Sequence, residues 1–174
     1  MYYFEKTGCE KERREALSRL LSRKIILLDT CTILNGSFLQ IMTEIEPELK
    51  HQGGYILVPD AVIQELNKLR VRKPELRRTI DVRMPQLAEW CRRGVMKVCG
   101  NRQSPGSFGD KEFLKRILHY SWRYEVLMLM QDGKLARDIE QKLGEMKSVC
   151  GYPVTVRRLN RYGNLVPFHS ASRH

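Results

Sequence analysis

The sequence predicts an α/β fold: a central, mainly parallel sheet flanked by helices in three layers, α/β/α. Three observations carry that expectation. Short, nearly pure apolar runs recur along the chain, the pattern of strands buried on both faces. Between them lie longer segments whose apolar residues fall at helical spacing. The two kinds of segment alternate, as strand–helix–strand crossovers require.

Taken in order, residues 10–23 are charged, with Ala16, Leu17, Leu20 and Leu21 at helical spacing, and predict an amphipathic N-terminal helix. Residues 24–28 (KIILL) are the first buried strand. Residues 38–50 return to helical spacing, and Gly53-Gly54 break the chain. Residues 55–58 predict a second strand, after which Pro59-Asp60 opens a helix carrying Val62, Leu66 and Leu69 on one face. Lys73-Pro74 interrupts it, and a further helix is expected to about Arg93. Residues 95–99 form a third strand, and residues 100–109 (GNRQSPGSFG) a flexible loop. Asp110 then begins a helix with Leu114, Ile117 and Ser121 on one face. Residues 125–130 are a fourth strand, and Asp132 precedes a helix bearing Leu135, Ile139, Leu143 and Met146. Residues 154–156 make a last strand before a polar tail. The expected organisation is a helical extension over 1–23, one α/β domain over 24–157 and a tail over 158–174, whose stretch from Tyr162 to His174 is read either as disordered or as pairing with another subunit.

The 174 residues suit one domain, large enough to build a core without disulfides or structural metal. The charge is less ordinary. The chain carries a formal +11, and between Leu66 and Arg102 eleven basic residues face three acidic ones. A polyanion is the natural partner of such a surface, nucleic acid the commonest, and a merely solvated basic face the alternative. Cysteines 9, 31, 91, 99 and 150 are odd in number and lack the two-residue spacing of zinc or redox pairs. Free thiols suggest a reducing compartment. With no apolar leader and no run long enough to span a bilayer, the expectation is a soluble, intracellular, cytoplasmic protein without membrane contact.

The acids fall in a pattern. Asp29 ends the first strand and Asp132 follows the fourth, the edge where open α/β sheets place their sites. Asp110, at a helix start after a loop, can face the same edge. Glu65 lies early on its helix, beside the apolar stripe. Each has an ordinary reading: helix N-caps for Asp110 and Asp132, a capped turn for Asp29, a solvated residue for Glu65. Together they suggest more. Four carboxylates about 5 Å apart would repel by roughly 3 kcal/mol per pair at an effective dielectric near 20, so such a cluster implies a neutralising divalent cation. Oxygen-only donors favour Mg²⁺ or Mn²⁺ over zinc.

Four segments carry a resemblance: DTCTIL after a buried strand, PDAVIQEL opening a helix, GDKEFLKRI, and LMLMQDGKLARDI. Their order and spacing resemble the acidic motifs of PIN-domain nucleases over residues 24–157, most of the chain. The resemblance implies a parallel sheet between helices and Mg²⁺- or Mn²⁺-dependent endonucleolytic cleavage of RNA phosphodiesters through a metal-activated water. It assigns both metal binding and catalysis to Asp29, Glu65, Asp110 and Asp132. Asp138 is a more distant candidate ligand, with a surface role as the default. Two positions depart from the family pattern. Met130 stands where Thr or Ser usually precedes the last acid, and Cys31 where Asn or Ser often follows Asp-Thr.

Lys68, Arg70, Arg72, Lys73, Arg77 and Arg78 follow Glu65 closely and are expected to line an RNA path. Tyr55, Phe108 and Trp122 can stack on unpaired bases, though burial is the default for each. Cys31 is expected to be a small buried thiol rather than a nucleophile. No GxSxG elbow, Walker loop, dinucleotide fingerprint or HExxH motif occurs, and histidines 51, 119, 169 and 174 are scattered. The competing readings are a catalytically weak PIN-like module binding RNA or a protein, the toxin of a toxin–antitoxin pair, and a flap-type DNA nuclease. A small antitoxin or a homodimer partner belongs with these expectations.

Overall fold

The computed structural model describes residues 3–100, 117–145 and 151–168. They form an α/β fold around one six-stranded sheet. Its strands are β1 (Lys24–Leu28), β2 (Ile56–Pro59), β3 (Met96–Cys99), β4 (Glu125–Leu129), β5 (Val154–Leu159) and β6 (Leu165–Val166), in the order β3-β2-β1-β4-β5-β6. β1 to β5 run parallel, and β6 returns antiparallel along β5. The helices are α1 (Tyr3–Leu21), α2 (Thr30–Leu34), α3 (Phe38–Gln52), α4 (Asp60–Arg72), α5 (Pro74–Arg92) and α6 (Gly133–Glu145), with a further helical turn over 117–121.

The alternation of side chains along each strand sorts the core into two layers. Ile26 and Leu28 of β1, Ile56 and Val58 of β2, and Leu127 and Leu129 of β4 pack with Leu17, Ile33, Ile45, Leu66 and Ile80 from α1 to α5. Leu27, Leu57, Val126 and Met128 point the other way, against Ile117, Ala136 and Ile139. The division follows from handedness. β1 to β2 to β3 steps one way across the sheet, whereas β4 to β5 steps the other, so right-handed crossovers put their helices on opposite faces. Burying an apolar side chain of this size contributes roughly 1.5–3 kcal/mol, so truncating Ile26 or Leu127 at the centre would unseat both neighbours.

The elements begin and end for local reasons. α3 stops at Gly53 (φ 67°), where the left-handed conformation lets the Gly54 amide cap Leu49. Pro74 sits at the first position of α5, where its missing N–H costs nothing. α1 is fastened to α3 by Arg14 on buried Glu48 (2.7 Å) and Arg13 on Glu44 (2.7 Å). Phe38 meets Trp90 edge to face at 5.8 Å, joining α3 to α5.

The first strand lies where its pattern predicts, and the others within a residue or so at their starts. β5 runs to Leu159, beyond the apolar stretch at 154–156, and the chain turns through residues 160–164 into β6. The Asn160 side chain holds that turn by accepting from the amides of Tyr162 and Asn164. α2 has no counterpart among the expectations, because five residues are too few to display a helical period. The expected loop from residue 101 onwards, and the start of the helix after it, lie outside the described residues. No helix among the described residues is long and apolar enough to cross a membrane.

Candidate metal centre

β1 and β4 are direct neighbours, Leu28 paired with Leu129, and the strand order reverses between them. Crossover helices leave in opposite directions at such a point, which opens a crevice beyond the carboxyl ends of the strands. Asp29 follows Leu28 into it. Its backbone amide donates to the Leu129 carbonyl (3.1 Å), extending the ladder by one residue. Its carboxylate is held from both sides. Oδ1 accepts from the Thr32 amide (2.7 Å), capping α2, and Oδ2 accepts from the Gln131 amide (3.3 Å), across the strand gap.

Asp29 is half-buried, and burial is the main reason its pKa rises from 3.8 to about 6. The hydrogen bonds from Thr32 and Gln131 work against the rise, and the negative charge of Glu65 adds to it. Glu65, on the exposed side of α4, is anchored by the buried Thr30 hydroxyl, which donates to its Oε2 (2.5 Å). α2 thus holds two acids at once, Asp29 through its amide end and Glu65 through its first side chain.

Asp132 caps α6. Its Oδ1 accepts from the amides of Lys134 (2.8 Å) and Leu135 (3.0 Å), so it performs the expected N-cap role and remains exposed. Its charge also reaches the Cys31 sulfur. That thiol is pushed up to about 11, first by burial, then by Asp29, Glu65 and Asp132. The residue is nonetheless open to solvent on its outer side, which corrects the expectation of a buried cysteine. That shift disfavours the thiolate in the metal-free protein.

Of the four predicted acids, Asp29, Glu65 and Asp132 therefore act on one locality, and Asp110 lies outside the described residues. Among the described residues no group of three or more His, Cys, Asp or Glu side chains is arranged to hold a metal ion. The donor chemistry still fits a hard cation. The acidic groups of this locality offer carboxylate oxygens, and Glu65 adds to the burial that raises Asp29. Asp138 is exposed on α6.

Two contributors escaped the sequence reading. Thr30 had a signal, a hydroxyl one residue after the strand-end acid. Arg83 had none. It is 7% exposed and reaches across from α5, donating from Nε to the Ile33 carbonyl (3.1 Å) and from an Nη to the Asn35 carbonyl (3.5 Å). Arg83 thereby ties down the end of α2, the short helix that positions Asp29 and Thr30. Met130 is fully buried in the α6-side core, with its side chain directed away from solvent.

The basic stretch divides in the fold. Arg70 pairs with Asp81 (2.5 Å), Arg92 with Glu89 (2.6 Å), and Arg93 with Glu46. Lys68, Arg72, Lys73, Arg77 and Arg78 are exposed and make no ion pair among the described residues. Lys68 and Arg72 follow Glu65 at three and seven positions along α4, on one face of that helix. No protein-family model matches this sequence, and a search of curated proteins finds no match.

Proposed function

We propose that this chain is a PIN-like, Mg²⁺- or Mn²⁺-dependent endoribonuclease whose centre is the crevice between β1 and β4. One observation carries the reading: carboxylates from three separate segments, Asp29, Glu65 and Asp132, all act on the Cys31 thiol beside the strand-order reversal, and Asp29 is buried enough there to raise its pKa to about 6. A buried carboxylate with a second acid beside it is costly to ionise unless a cation or a proton relieves it.

Asp29, Glu65 and Asp132 would hold the cation, with Asp110 the fourth acid that the PIN resemblance supplies. When bound, a divalent cation supplies an acidified water and neutralises charge developing on a phosphoryl oxygen. The protein's part is positioning. Amides of Thr32 and Gln131 fix Asp29, the Thr30 hydroxyl fixes Glu65, and the start of α6 fixes Asp132. Lys68 and Arg72 continue from Glu65 along the exposed face of α4 and would neutralise successive phosphates of a bound strand.

The test is cleavage of a labelled single-stranded RNA pool with Mn²⁺, with Mg²⁺ and with chelator, beside Asp29→Asn and Asp132→Asn. The reading expects metal-dependent cutting that both variants lose. Intact RNA under every metal condition, with folded protein that still binds RNA, would overturn it.

Met130 favours a second reading, a PIN-like module that binds RNA or a protein without cutting. Its apolar side chain occupies the place of the family's hydroxyl and belongs to the core, so it offers no support to Asp132. Binding without cleavage in the same experiment would select that reading.

A further inference from the structure

The opposite end of the sheet carries a different chemistry. Around the starts of β1, β2 and β4 lies a groove of about 480 Å³, lined by Arg23, Lys24, His51, Tyr55 and Tyr124 among others. That volume falls within the roughly 300–1,000 Å³ of small-ligand sites. Lys24 is neutralised by Glu125 (3.0 Å), the carboxylate on this rim. Arg23 is exposed and makes no ion pair among the described residues. It also adopts φ 55°, a left-handed conformation that glycine would take at lower cost. The turn between α1 and β1 therefore presents a guanidinium where backbone sterics favour no side chain at all.

Beside the groove, aromatic rings stand in water. Trp122 is 59% exposed, Tyr124 49% and Tyr152 47%, against the expectation of burial for the tryptophan. Backbone contacts tie the segment of Tyr152 to the turn that carries Trp122 and Tyr124. The Tyr152 amide donates to the Ser121 carbonyl (2.9 Å), the Tyr124 amide to the Tyr120 carbonyl (3.0 Å). Gly151 lies so close that a Cβ there would meet the Trp122 carbonyl at 3.1 Å. Arg123, between Trp122 and Tyr124 in the sequence, is exposed, and the Lys97 ammonium sits over Tyr55 at 3.7 Å.

We propose that this end of the molecule is a binding site for single-stranded nucleic acid, distinct from the acidic crevice. Unpaired bases stack on Trp122, Tyr124 and Tyr152, and phosphates lie against Arg23 and Arg123. Rings interleaved with cations are what strands with splayed bases require, and duplexes keep their base faces covered. The site goes beyond the nuclease reading and needs no catalysis.

The chain has two tryptophans, and Trp90 is buried, so quenching of the exposed emission reports on Trp122. Full-length protein in chelator is titrated with a labelled oligouridylate, an abasic oligomer of equal phosphate count, and phosphatidylserine vesicles. The expected result is quenching by oligouridylate and weak binding of the abasic strand. By anisotropy, Trp122→Ala and Tyr124→Ala each weaken oligouridylate binding about tenfold, whereas Trp122→Phe keeps most of it. Equal melting temperatures confirm that the exposed substitutions leave the fold intact. Abasic binding as tight as oligouridylate, wild-type affinity in Trp122→Ala, or a preference for vesicles would each overturn the proposal. Asp29→Asn and Asp132→Asn are expected to bind as wild type. Absent cleavage with quenching retained would therefore count against the nuclease reading alone.

Discussion

The two ends of the parallel sheet differ in almost every chemical respect. At the carboxyl end, the charges of Asp29, Glu65 and Asp132 all act on the Cys31 thiol, and each acid accepts from an amide or a hydroxyl. At the amino end, Arg23, Arg123 and three solvent-facing rings sit on turns, with Glu125 already paired. The parallel run of β1 to β5 makes this separation possible, because those strands all enter at one edge and leave at the other. At the acidic end the side chains are held by amides and a hydroxyl. The other end is open and mixed, as a surface for a flexible polyanion would be. A net charge of +11 says only that a polyanion is attracted; the fold separates an acidic end from a basic, aromatic one.

The largest expected effect would break the acidic end outright. Asp29→Asn or Asp132→Asn should lower the rate of metal-dependent RNA cleavage by about 10²- to 10³-fold, the loss typical of one charge-stabilising group. Single-turnover cleavage measures it, and near wild-type rates would remove these acids from the centre. Next comes the support behind that end. Arg83→Met should destabilise the fold by about 3 kcal/mol, because the Ile33 and Asn35 carbonyls lose their donors. Urea unfolding measures that loss, and a change well below 1 kcal/mol would deny Arg83 its hold on α2.

Met130→Thr sharpens the comparison between resemblance and packing. Supplying the family's hydroxyl should not raise cleavage, since the side chain faces the α6-side core. It should instead cost about 2–3 kcal/mol through a cavity and an unmatched hydroxyl. A faster, equally stable variant would show that residue 130 does reach the acids.

A smaller effect depends on pH. In chelator, folding raises the Asp29 pKa from 3.8 to about 6, so the folded chain binds that proton more tightly than the unfolded chain. The associated stability is full below pH 3.8 and is lost as pH rises through about 6. Asp29→Asn should therefore stabilise the metal-free protein at pH 7.5 by about 1–2 kcal/mol. That is less than the about 3 kcal/mol of an unscreened shift, because the residue is half-buried. Thermal melts at pH 5 and pH 7.5 decide it: a gain at neither pH would contradict the burial of this charge. Smallest of all, Lys68→Ala and Arg72→Ala should each weaken RNA binding about two- to threefold and flatten its salt dependence by roughly 0.7 per lost phosphate contact.

Much of the fold was legible because its signals are local. The run KIILL, the Gly53-Gly54 break and the Lys73-Pro74 interruption act within a few residues, and each marks an element boundary or an element itself. α2 was not legible, since five residues carry no period, and neither was β6, whose two residues become a strand by pairing with β5. The candidate site divides the same way. Asp29 and Asp132 stand out at strand ends, and the Thr30 hydroxyl stands next to the first. Arg83 looked like one more cation in a basic stretch, and Trp122 like one more core aromatic.

The sequence by itself determined the strand–helix alternation, hence a parallel sheet with acids at one edge, because hydrophobic period and turn chemistry are properties of short segments. Tertiary structure alone decided that β1 and β4 lie side by side, which brings Asp29 to the Gln131 amide 102 positions away. It alone decided which arginine is buried and which tryptophan is exposed. Those outcomes depend on contacts between distant segments, and no local pattern encodes the far partner.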